Sequence, residues 1–133
     1  MPKFKVDNRL NATLKAVNND NLKDLKKLNL LLFPDIYCSP NFYKDVVTSG
    51  FYSRLAYLDE RPVGIACCCL EKRDEEERSD LNLMTLGILA QYRSEGVGSL
   101  MMRQILNMAK HDDRIISVYL HVKVRMVQPS LWS

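Results

Sequence analysis

No run of apolar residues in this chain approaches the ~20 needed to cross a bilayer as a helix. The N-terminus, MPKFKVDNRLNATLKAV, also lacks the apolar segment of a secretory signal. No membrane partner is expected, and the chain reads as intracellular. There is no dense basic block either. The net charge is +3, and Lys15, Lys23, Lys26 and Lys27 are scattered without interleaved aromatics. Direct nucleic-acid binding is therefore not expected, because its electrostatic footprint is weak. A C-x-x-C pair is absent too. Besides Cys38, the cysteines form the adjacent run Cys67, Cys68 and Cys69. Neighbouring strand side chains point to opposite faces, so three in a row cannot surround one metal ion. No metal is expected. Buried free cysteines pack as small hydrophobes and suit a reducing compartment.

What is present is the composition of a soluble globular domain, with 47% hydrophobic and 26% charged residues in a chain of 133. That length fits one domain over residues 1–133, able to bury about two thirds of its unfolded surface. No internal repeat or linker interrupts it. Thr13–Val17 reads as a short strand. Asn18 or Asp20 can cap a helix to about Leu32, with Leu22, Leu25, Leu28 and Leu32 at helical spacing. Phe33-Pro34 ends it. A loop follows, then a second helix over Asn41–Thr48. Ser53–Leu58 and Arg61–Glu71 read as a hairpin turning at Asp59-Glu60. The charge run Lys72–Ser79 reads as a solvated loop. A strand over Asp80–Leu89, bent at Gly87, precedes a helix over Gly96–Lys110 with Val97, Met101, Ile105 and Met108 as its apolar stripe. Ile115–Val124 is a last β-branched strand, and residues 123–133 form a tail without period. The strands flanking the long helix are expected to be parallel neighbours.

Two glycines in QYRSEGVGSLM, Gly96 and Gly98, stand where a strand hands over to a helix. The first turn of a helix carries backbone N–H groups without intrahelical partners, and the macrodipole adds about half a positive charge there. Glycines remove the side chains that would block an anion from approaching. Arg93 offers a further cationic contact. The pattern is neither a P-loop, since no lysine follows, nor the G-x-G-x-x-G fingerprint, since residue 101 is Met. On these residues alone, a phosphate cradle and a plain turn both stay open.

The segment LMTLGILAQYRSEGVG, Leu83 to Gly98, resembles the acetyl-CoA-binding signature of the GCN5-related N-acetyltransferases. More closely, the chain is similar to the San, or NatE-type, N-alpha-acetyltransferase catalytic subunits. KKLNLLLFP, NFYKDV, LAYLD, VGIACC and YLHV carry that likeness in the same order, from about Leu14 to Val122. The resemblance implies an α/β (α+β) fold: a mixed central sheet, splayed between its fourth and fifth strands and flanked by helices. It implies acetyl-CoA as co-substrate and no metal. Backbone groups at Leu86, Gly87 and Ile88 would pair with the pantetheine, and Arg93, Ser94, Glu95, Gly96, Val97, Gly98 and Ser99 would hold the pyrophosphate. An N–H near Leu86 would polarise the thioester carbonyl.

The same resemblance implies acetyl transfer to the α-amine of nascent protein N-termini that retain methionine. His121 would be the general base acting through water; alone, it would read as an ordinary strand histidine. The family's second catalytic residue, a tyrosine, falls on Asn82, which can hold a water but cannot titrate. Phe33, Pro34, Tyr37 and Met84 would line the peptide pocket, with Asp35 where the family is apolar. Ser94 and Glu95 also depart from the pattern. Beyond Val122 the family continues through a further helix and a β-hairpin, whereas this chain ends KVRMVQPSLWS. The expectation is thus a domain incomplete at its C-terminus. A ribosome-associated NatA-type complex is the implied partner, and the cytoplasm, with the nucleus besides, the implied location. An inactive relative serving as a docking subunit of such a complex is the alternative.

Overall fold

The computed structural model describes residues 12–48, 52–73, 77–93 and 95–120. Five strands lie in sequence order: β1 (Ala12–Ala16), β2 (Arg54–Leu58), β3 (Arg61–Lys72), β4 (Ser79–Ile88) and β5 (Ile115–Leu120). The first four pair antiparallel, and β5 joins β4 in parallel. A parallel neighbour needs a crossover, and α3 (Val97–Lys110) supplies it. The expected mixed sheet and the parallel pair around the long helix are both found. The part of the last strand expected beyond Leu120, and the tail 123–133, lie outside the described residues.

Alternation along the strands builds two cores. Ala56, Ala66, Cys68, Leu81 and Leu83 meet Val97, Met101, Ile105 and Ala109 of α3 on one face. Leu55, Tyr57, Ile65 and Cys67 meet Leu25, Leu28 and Leu32 of α1 (Leu22–Leu32) and Val46 of α2 (Pro40–Thr48) on the other. Cys67 and Cys68 therefore serve opposite cores, as pleat geometry requires. Burial pushes the Cys67 thiol up to about 12 and raises Cys68 as well.

The β2–β3 hairpin turns at Asp59 and Glu60, with φ 48° and 67°. Two successive left-handed residues are what a tight primed turn demands. Two local expectations are corrected. Neither Asn18 nor Asp20 is the N-cap of α1; Asn21 holds that position, without a side-chain cap. The Asn18 carboxamide instead accepts from the N–H groups of Asp20 and Asn21, at 2.8 and 3.1 Å, and Asn21 Nδ2 donates to the Ala16 carbonyl. The asparagines are spent closing the turn before the helix. Strand β4, secondly, pairs with β3 straight through Gly87, opposite Ile65. Its irregularity lies earlier: Thr85 faces Cys67 and Leu83 faces Cys68, so Met84 is an extra, bulged residue.

Parallel pairing of β4 with β5 is described from Ser79↔Ile115 to Leu83↔Leu120. It is pinned at its start, where Ser117 Oγ donates to Asp80 Oδ1 at 2.6 Å and Arg73 Nε bonds the same carboxylate. Those bonds, Arg73 first, hold the Asp80 carboxyl below its usual range.

Candidate functional site

The N-terminus of α3 is built without any side-chain cap. Gly96 is the N-cap, at φ 87°, a conformation that costs an L side chain about 1–2 kcal/mol. The first helical bond runs from Leu100 N to the Gly96 carbonyl at 2.9 Å. The N–H groups of Val97, Gly98 and Ser99 come before it, in the turn where a helix has no internal acceptors to offer. Val97 turns its side chain into the core, while Ser99 and Glu95 are exposed. Gly98 decides what kind of corner this is. Among the described residues, a Cβ there would have a single neighbour within 4 Å, Ile88 Cγ1 at 3.8 Å. Neither packing nor a positive φ requires glycine at this position, and glycine inside a helix costs about 1 kcal/mol relative to alanine.

Beside this corner runs the end of β4. Leu89 N donates to the Val63 carbonyl at 2.8 Å. By alternation, the N–H and C=O groups of Gly87 also face β3, and those of Leu86 and Ile88 face the opposite edge. Along that edge the described pairing with β5 ends at Leu83. Arg93 reaches back so that its Nε donates to the Ile88 carbonyl at 2.9 Å, fastening the 3₁₀ turn Ala90–Tyr92 to the strand. An extended chain with amide groups can thus add itself at Leu86 and Ile88, with its anionic end at Val97–Ser99. Gly87 has a different neighbourhood. A Cβ there would meet Leu32 Cδ1 at 2.9 Å and Phe33 Cε2 at 3.2 Å, so glycine lets α1 close onto the sheet. Ser94 and His121 lie outside the described residues.

The strand alternation also places Asn82. Leu81 and Leu83 face α3, so Asn82 faces α1 and α2. It is 5% exposed. Its Nδ2 donates to Glu71 Oε2 at 3.5 Å, and its Oδ1 has no partner among the described residues. An unmet buried acceptor costs about 1–3 kcal/mol. Tyr119 is its register neighbour on β5.

The expected peptide-lining residues fall into two groups. Phe33 is buried in the α1/α2 core, and Met84 is half-buried at the bulge. Pro34 and Tyr37, the latter 84% exposed, instead line a groove of about 550 Å³ with Lys26, Asn29, Leu30 and Tyr43.

Residues 22–131 match the model of the acetyltransferase (GNAT) family. The chain belongs to that family. It is 39% identical over 116 residues to the "Probable N-acetyltransferase san" of Drosophila melanogaster, covering 87% of this chain and 61% of that protein. With the N-alpha-acetyltransferase 50 of Danio rerio it shares 40% over 108 residues, 81% of this chain and 62% of the relative. The chain thus spans about three fifths of the length of these curated relatives. Among solved structures, Arabidopsis thaliana Naa50, in complex with the bisubstrate analogue CoA-Ac-MVNAL, superposes with a TM-score of 0.74 at 35% identity. That match covers 82% of this chain and 70% of the other. The expected GNAT fold is therefore present, and the helix corner and strand edge above belong to a GNAT domain.

The sequence reading missed the bulge at Met84 and the neighbour of Asn82, Glu71. The bulge had a signal. Leu83 and Leu86 both pack towards α3 although they are three apart, which a regular strand does not allow. Glu71 had none, because it is one acid among a run of charges.

Proposed function

We propose that this GNAT domain is a protein N-alpha-acetyltransferase, using acetyl-CoA to acetylate the α-amine of protein N-termini. The observation that carries the reading is the side-chain-free corner at Gly96–Gly98 beside the outward edge of Leu86 and Ile88. Acetyl-CoA matches it, with a pyrophosphate for the helix amides and pantetheine amides for the strand, and supplies an activated acetyl group as a thioester. The likeness to a relative complexed with a CoA–peptide analogue supports the same reading.

In the transfer, the amine nitrogen gains a bond to the acetyl carbon and loses a proton, while the thioester C–S bond breaks and coenzyme A leaves as its thiol. Val97–Ser99 bind the diphosphate, Leu86 and Ile88 align the carrier, and the Leu86 N–H faces the developing oxyanion. An α-amine has a pKa of about 8, so a base is needed near neutral pH. We assign that role to His121, acting through water. The substrates are N-termini with a retained methionine, met by the groove that Pro34 and Tyr37 line. Nascent chains, and through them a ribosome-associated NatA-type complex, are the partners, in the cytoplasm and nucleus.

One observation favours a second reading, an impaired relative acting as a docking subunit: Asn82 stands where a titratable tyrosine is expected. Calorimetry with acetyl-CoA and acetylation of a Met-Leu peptide separate the two. Binding with turnover supports the enzyme, binding alone supports docking, and neither refutes both. His121→Ala should lower turnover at least about tenfold while acetyl-CoA still binds, as expected for loss of a general base; an unchanged rate removes His121 from the mechanism.

A further inference from the structure

Asn82 cannot act as an acid or base, yet it is held in a defined way. Glu71, exposed at the end of β3, offers only acceptors when ionised, so it selects which end of the Asn82 amide turns towards it. The amide nitrogen points to Glu71, and the carbonyl oxygen has no donor among the described residues. Asn82 lies two residues before the bulge at Met84, on the α1/α2 face of the strand that carries the outward edge. A buried acceptor with a fixed direction, next to a carboxylate, suits a cationic donor group.

We infer that Asn82 Oδ1 receives an N–H of the incoming primary α-amine, and that Glu71 is the positioning residue that keeps the Asn82 amide in that orientation. This rests on the acetyl-transfer reading and adds to it the group that recognises the acceptor amine. The Glu71 carboxylate also favours the approach of the ammonium form over neutral or anionic groups. Glu71 acts through Asn82, so the two form one unit.

The full chain and its Asn82→Leu, Glu71→Gln and double variants would be compared with acetyl-CoA and a Met-Leu peptide. Leucine is close in shape and removes the unmet acceptor, so Asn82→Leu should melt no lower than the parent. It should bind acetyl-CoA within about twofold but lose at least about tenfold in kcat/KM for the peptide. Glu71→Gln, whose amide no longer dictates the flip, should lose about three- to tenfold. The double variant should be no worse than Asn82→Leu alone, since coupled residues are not additive. Unchanged peptide kinetics in Asn82→Leu, a melting point several degrees lower, or additive losses in the double variant would overturn the inference and leave the transfer reading standing. A parent chain that does not acetylate the peptide would remove the transfer reading, and this inference with it.

Discussion

Substitution of Gly98 tests the corner at the start of α3 without disturbing the fold. Among the described residues, an added methyl would find only Ile88 Cγ1, at 3.8 Å, an ordinary contact. Gly98→Ala should therefore stabilise the free protein by up to about 1 kcal/mol through helix propensity. For a domain of this size that is a rise of roughly 3–5 °C in melting temperature. Gly98→Leu keeps most of the propensity gain but extends over the N–H groups of Val97 and Ser99. A charge-assisted hydrogen bond contributes about 1.5–3 kcal/mol. Loss of one such bond corresponds to about a 10- to 100-fold rise in Kd. The series should thus separate stability from affinity: both variants melt higher, Gly98→Ala binds acetyl-CoA within about threefold of the parent, and Gly98→Leu binds far more weakly. Scanning fluorimetry and calorimetry read the two quantities. A Gly98→Leu protein that melts normally and binds acetyl-CoA as tightly as the parent would refute the placement of the diphosphate.

Gly96→Ala should behave in the opposite way in the free protein, since φ is 87° there, and lower the melting temperature for a cost of about 1–2 kcal/mol. Ile105→Ala, which empties a fully buried position beneath the sheet, should cost about 2–5 kcal/mol in urea unfolding. Asp112 bonds Arg114 and accepts from Tyr52 at 2.6 Å, and these partners, Arg114 first, hold its carboxyl well below the usual range. Its contribution is present above pH ~4 and is lost as pH falls further. Asp112→Asn should therefore narrow the gap in melting temperature between pH 7 and pH 3; an unchanged gap would rule the carboxylate out. Iodoacetamide at pH 8 should alkylate Cys38 readily and Cys69 slowly. Cys67 and Cys68 should stay unmodified under native conditions, because both are fully buried with raised thiol pKa values. Mass spectrometry of the digested protein checks this.

The sequence made the layout legible because most of its elements carry a clear period. Leu25, Leu28 and Leu32 mark the buried side of α1, and Val97, Met101 and Ile105 that of α3. The cysteine run could be assigned to a two-sided strand for the same reason. What stayed hidden has no period of its own. Asn18, Asp20 and Asn21 are all competent caps, and only the fold of the preceding turn decides that two of the side chains bond locally. Gly87 and Gly98 look alike in a signature, yet a Cβ would clash with Leu32 at the one and make an ordinary contact with Ile88 at the other. A glycine in a sequence states that room is needed and not who uses it.

That difference also explains why one corner of the sheet can hold a ligand. The crossover between β4 and β5 starts α3 past the carboxyl end of β4, the position where open α/β sheets bind their ligands. The extra residue at Met84 lets β4 keep Leu83 and Leu86 on the α3 core while Asn82 faces the other side. One strand thus keeps leucines on the α3 core, turns Asn82 to the other face and leaves the backbone groups of Leu86 and Ile88 at its outer edge. In a regular strand that kept Leu83 on the α3 core, Leu86 and Ile88 would turn away from it. The bulge is therefore what lets β4 pack apolar residues on the α3 core on both sides of Met84.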